Sequence, residues 1–318
     1  MKRNNLLSVY TFIIYLFVGL NLFAAINTED ELKKYLDTKE KIFEDISVQM
    51  GIATWNIYSQ EGAADTQVPR LRYLELFKDE TLNKEIEQWY NKLSEINDKE
   101  LKRRVEVWHN VLLGAKVDND DEIFPLEDQL EKWLANEDST NERPNDTELE
   151  TLIKELMTRR NEKAISLGYK NYAEFQLGLN GLNERDFNDV IDKIEKATYP
   201  KFKQLVDESL QVNKKTEITF VDVMKMVREV YGYLSVGIKD KSQTDSIITE
   251  TYKNIGIDYK PLPIRFVEKN IPFGGNGLAI QIPTDFRIVV QYDQPIYVLM
   301  HELGHAMQGV FTEIKSPI

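Results

Sequence analysis

The chain has 318 residues, with 53 acidic against 40 basic side chains and a formal charge of −13. That balance argues against nucleic acid and anionic membrane surfaces as partners and says little about a peptide. An apolar fraction of 42 % is enough for one large core or two smaller ones. With no cysteine, neither a disulfide nor a lipidated cysteine is possible.

The amino terminus reads as an export signal. Lys2 and Arg3 precede a nearly unbroken apolar run from Leu6 to Ala25. Cleavage near Ala24 or Ala25 leaves residues 26–318 as one exported chain, periplasmic or secreted. An uncleaved leader, whose apolar run approaches bilayer-spanning length, makes it a membrane anchor instead.

After the leader, helix dominates. Thr28 and Glu31 form a capping box, and Leu32, Tyr35, Leu36, Ile42, Phe43 and Ile46 follow at helical spacing. A second helical region covers Thr81 to Leu113, with Ile86, Trp89, Leu93, Ile96 and Val105 as its apolar positions. The acidic run Asp118 to Glu122 lacks the glycine and ligand register of a calcium loop and reads as a solvated connection. Asn136 to Asp146 is polar, holds Pro144 and reads as an exposed loop. Thr147 and Glu150 are expected to cap the next helix, which Gly168 ends. Amphipathic stretches then cover Glu184 to Val212, Phe220 to Tyr233 and Asp245 to Asn254.

The character changes at Tyr259. Prolines 261, 263 and 272 and the run Gly274-Gly275-Asn276-Gly277 punctuate the chain, and the glycine run reads as a turn. Two β-like runs, Leu278 to Ile282 and Arg287 to Gln291, are joined by Pro283-Thr284-Asp285-Phe286 into a hairpin. Asp293 and Pro295 then suit the cap and first turn of a final helix. The predicted fold is mainly α, with one small sheet ahead of that helix.

The final helix carries Met300-His301-Glu302-Leu303-Gly304-His305-Ala306, and so two of the three histidines in the chain. Residues i and i+4 share a helix face, so both imidazoles can reach one ion. Glu302 stands beside the first of them, placed to accept a proton from water. His-Glu-x-x-His is the zinc-peptidase signature. The bland alternative is a pair of surface or core histidines. Their scarcity, the apolar turn before them and the hairpin ahead weigh against it. Gly304 costs up to about 1 kcal/mol in a helix and suits either a close approach or ordinary packing. His109, between Trp108 and Asn110, reads as a packed structural residue.

A tetrahedral site needs a further ligand. Glu313 is the only carboxylate after His305, about 12 Å farther along a continuing helix and out of reach. Phe311 stands where a metzincin would carry its third histidine.

Asp285-Phe286-Arg287-Ile288 and Met300 to Gln308 together resemble the angiotensin-converting-enzyme family of peptidyl-dipeptidases and, more loosely, thimet-type oligopeptidases. Arg160 to Tyr172 is similar to a helical segment of the same group, so the resemblance is sharp over residues 159–176 and 280–310. It implies a helical body split by a channel that admits short peptides, with Zn2+ at its floor. His301 and His305 would be the ligands and Glu302 the general base. The strand at Gly277, Leu278 and Ala279 would run beside the substrate backbone, although it lacks the histidine that the converting enzymes carry there. The family's glutamate ligand falls beyond Ile318. The sequence therefore reads as the front portion of a longer enzyme, with weak or no turnover expected from these residues alone.

Overall fold

The computed structural model describes residues 26–62, 65–135, 145–226, 241–269, 274–291 and 296–313. The expected leader, most of the polar loop after residue 135, the second half of Phe220 to Tyr233 and the Asp293/Pro295 cap lie outside the described residues. The fold is mainly helical with one small three-stranded sheet. Among the described residues no helix is long and apolar enough to cross a membrane.

Helix α1, Glu29–Ser59, starts at the predicted capping box. The Glu31 amide donates to Thr28 Oγ1 at 3.3 Å, and Glu31 Oε2 accepts from the Thr28 amide at 3.1 Å. Helices α2, Gln67–Phe77, α3, Glu80–Tyr90, and α4, Lys99–Asp118, pack around its first half. The region expected from Thr81 to Leu113 is thus two helices. Asp79 and Asp98 each accept two amide protons from the turn that follows, and each starts its own helix. Leu32, Leu36, Ile46, Leu82, Ile86, Val105 and Trp108 form the dry centre of this core. One buried ion network crosses it: Arg104 Nε donates to Glu40 Oε1 at 2.8 Å, and Trp108 Nε1 donates to the same oxygen at 3.2 Å. His109 is packed as expected, its ring stacked 3.5 Å from that of Tyr90, and burial lowers its pKa.

A second cluster joins the end of α4 to α5, Phe124–Ala135, α6, Asp146–Ser166, and α7, Tyr172–Leu179. The cap of α6 lies two residues earlier than predicted. Asn145, not Thr147, accepts from the Glu148 amide, and the Glu148 side chain answers it, completing an Asn-x-x-Glu box. Its end is at the predicted place. Gly168 has φ +93°, and Tyr169 and Gly168 donate back to Ala164 and Ile165, a Schellman closure. Asp120 is held by Lys163 at 2.7 Å, so the acidic run is a connection tied to α6.

Helix α8, Glu184–Asn213, contributes no buried residue, and Phe187, Val190, Ile191, Ile194, Phe202 and Leu205 along it are exposed. Residues 220–226 are helical, and α9, Lys241–Asn254, follows.

The sheet contains β1, Ile264–Lys269, β2, Gly275–Gln281, and β3, Asp285–Gln291, in the order β1-β3-β2. The predicted hairpin is β2 with β3, antiparallel. Two features correct the sequence reading. The glycine run is strand, because Gly275, Asn276 and Gly277 pair with Val290, Val289 and Ile288. A third strand, β1, pairs parallel to β3 along its whole length.

Strand alternation divides the sheet between two helical layers. Phe286, Ile288 and Val290 face α9 and the last helix, α10, Ile296–Val310. Val289, Ile280, Leu278 and Val267 face the second half of α1 around Trp55. Gly51 permits that approach, since a Cβ there would lie 3.4 Å from Ile280 Cα. The Trp55 indole donates to Glu61 at 3.0 Å and lies within 6 Å of the guanidinium groups of Arg265 and Arg287. Each such cation–π contact contributes about 0.5–2 kcal/mol.

Candidate metal centre

Helix α10 turns one face into the sheet. Glu302, Leu303, Ala306, Met307 and Gly309 are buried, with Leu303, Ala306 and Met307 against Phe286, Ile288 and Val290. Gly309 makes this seat possible, because a Cβ there would lie 2.4 Å from the Phe286 ring. From α9, the Tyr252 hydroxyl donates to the Met300 carbonyl at 3.3 Å, one residue ahead of the motif. Burial raises the Tyr252 pKa and keeps that hydroxyl protonated.

With this face fixed, Tyr297, His301, Gly304, His305 and Gln308 are left on the solvent side. Nothing lies within 4 Å of the point a Gly304 Cβ would occupy, so neither a neighbouring strand nor core packing requires glycine there.

The two imidazoles converge. Their Nε2 atoms are 3.1 Å apart, and their rings meet edge to face with centroids 4.7 Å apart. Two nitrogens each about 2.0–2.1 Å from one tetrahedral ion would stand about 3.3 Å apart. The pair is therefore spaced as two ligands of one metal. The same spacing serves a hydrogen bond from one neutral ring to the other. Among the described residues no group of three histidines, aspartates or glutamates gathers around one point, and Glu313 lies exposed past the end of the helix. The residues present fill two corners of a site.

The chain matches no protein-family model, no curated protein and no solved structure.

Glu302 lies between the helix and β2. It is 8 % exposed, and its carboxylate has no hydrogen-bond or ion-pair partner among the described residues. Neither of its oxygens is among the fully buried atoms without a partner, so water reaches the carboxylate where a protein donor is absent. Its surroundings are glycines: a Cβ on Gly277 would lie 3.0 Å from Glu302 Oε2, and one on Gly275 would lie 3.2 Å from Glu302 Cγ.

The three strand residues expected beside a substrate are divided between the sheet's faces. Gly277 touches the motif glutamate, whereas Leu278 packs toward α1. Ala279 is exposed and pairs with Phe286. Gly275, Gly309 and Tyr252 were not read from the sequence as site residues. The available signal was glycine at i and i+2 in a strand, which marks close approach by a neighbour.

Proposed function

We propose that this protein is a zinc-dependent peptidase acting on short, extended peptides, of the peptidyl-dipeptidase or oligopeptidase type. The observation that carries the reading is a carboxylate without a protein partner, on a largely buried residue, next in sequence to one of two imidazole nitrogens 3.1 Å apart.

His301 and His305 would hold the ion through Nε2. Zinc bound there supplies Lewis acidity and lowers the pKa of water toward neutrality. Glu302 takes up the proton from the attacking water at a carboxylate oxygen and returns it to the departing amine. Among the described residues, strand β2 has β3 on one side and no strand on the other, so its outer edge can accept an extended peptide backbone. An edge that reads backbone suits peptides without fold of their own. The basic-then-apolar leader fits an exported enzyme.

A second reading, a peptide-binding protein without turnover, draws on the two-cornered ligand set among the described residues. Titration of the chelated chain with Co2+ or Zn2+ comes first, with one ion per chain expected and lost on His301→Ala. Hydrolysis of a quenched short peptide then separates enzyme from binder. Glu302→Gln should lower it by about 10²-fold or more with metal content retained. A folded chain that takes up no metal sinks the metal site; hydrolysis indifferent to Glu302→Gln sinks the mechanism.

A further inference from the structure

Glu302 is confined without being bonded. Across the interface it faces Gly275 and Gly277, and the space a Cβ on either glycine would enter is bounded by Glu302 together with Val298, Val290 and Phe286. None offers a side-chain donor. On β2 the two glycines sit at i and i+2, so they share the face turned to α10. Their missing side chains leave a slot one carboxylate wide. At Gly275 a Cβ would also meet Val298 and Val290 at 3.1 and 3.2 Å, so that end is closed by stiff β-branched side chains. At Gly277 the nearest atom is the carboxylate itself, the far end of a flexible side chain.

We infer that Gly277, with Gly275, is a positioning residue for Glu302: the glycine slot holds the proton-accepting carboxylate by shape, without hydrogen bonds. The inference rests on the reading of Glu302 as proton acceptor. It also gives Gly277 a different role from lining the substrate backbone. The chemical logic is direct. A carboxylate fixed by a slot keeps its lone pairs available while losing rotamer freedom. Glycines at alternate strand positions otherwise weaken a strand, and here the half-buried pair admits one specific side chain.

The test uses the full chain and needs no metal. Carboxylates are labelled with a water-soluble carbodiimide and an amine, and the rate at position 302 is followed by mass spectrometry. Gly277→Ala should raise that rate several-fold by displacing the carboxylate toward solvent, while labelling of buried Glu40 stays slow. Adding Glu302→Asp, one methylene shorter, should restore slow labelling in the Gly277→Ala background, a rescue that general loosening of the interface would not give. In the unaltered chain a nuclear Overhauser contact between the Gly275 α-protons and the Glu302 γ-protons should be present, and this holds whether or not the variants fold. Unchanged labelling in folded Gly277→Ala, or absence of that contact, overturns the slot.

In peptide hydrolysis, Gly277→Ala should lower kcat by about 10²-fold with KM unchanged, the share of a positioned base. It should cost nothing further in a Glu302→Gln background. Labelling and proton contacts do not depend on turnover. A slot confirmed in a chain without hydrolysis refutes only the peptidase reading, and Glu302-dependent hydrolysis in a chain whose labelling ignores Gly277→Ala refutes only the slot.

Discussion

Glu40 and Glu302 are buried almost equally, at 4 % and 8 % exposure, and in opposite ways. Glu40 sits in the helical core with Arg104 and the Trp108 indole both donating to one of its oxygens. Glu302 sits against the sheet with glycines for neighbours and no donor among the described residues. The first is a charge made tolerable by its partners. The second has water where the first has partners. Glu85 lies between the cases: its Oε2 and the nearby Tyr35 hydroxyl are both buried without a partner, but no histidine pair adjoins them. Burial alone therefore does not single out Glu302; the converging histidine pair beside it does.

The contrast makes quantitative demands, the largest on Glu40. Glu40→Ala should cost about 3 kcal/mol in urea unfolding, because it removes the buried counter-charge of Arg104 and the acceptor of the Trp108 indole, leaving Arg104 only the exposed Asp37 at 2.8 Å. A loss below about 1 kcal/mol would erase the distinction. Next comes the seat of α10. Gly309→Ala should cost about 1–3 kcal/mol by overpacking against Phe286, with part regained when Phe286→Leu is added. Glu302→Gln should change stability by less than about 1 kcal/mol, since no partner is lost, while removing hydrolysis. A large destabilisation would instead make Glu302 a structural group like Glu40.

The smallest effect concerns His109. Burial against Tyr90 lowers its folded pKa below 6.5, so the unfolded chain binds its proton more readily. Its contribution is complete above that pH and is lost as pH falls through the folded pKa. Denaturation midpoints followed from pH 7 downward should fall more steeply in the unaltered chain than in His109→Gln.

Local features were legible in sequence and non-local ones were not. Thr28 and Glu31, Gly168, the β2–β3 hairpin and the His-Glu-x-x-His spacing all act within a few residues, so their patterns can be read directly. Asp79 and Asp98 were equally local, yet helical periodicity on both sides masked the break between α3 and α4. Strand β1 interleaves Arg265, Glu268 and Lys269 with apolar residues, and its parallel partner lies some twenty residues away. The glycine run looked like a turn because glycine in isolation signals freedom. Only the side chain opposite shows that Gly275 and Gly277 are there for space.

The layer between α1 and the sheet has a consequence for how the chain is made. Gln281 donates to Glu44 across 237 positions, and Arg265 reaches Glu61 across 204. The covers of Trp55 are thus translated long after Trp55 itself. At ordinary ribosome speeds that delay is roughly 10–50 s. The helices around Leu32 and Trp108 can assemble meanwhile, but the sheet-facing half of α1 waits bare. A nascent chain arrested before β3 exposes that apolar flank, which is where a holding chaperone, or a wrong partner, would find it first.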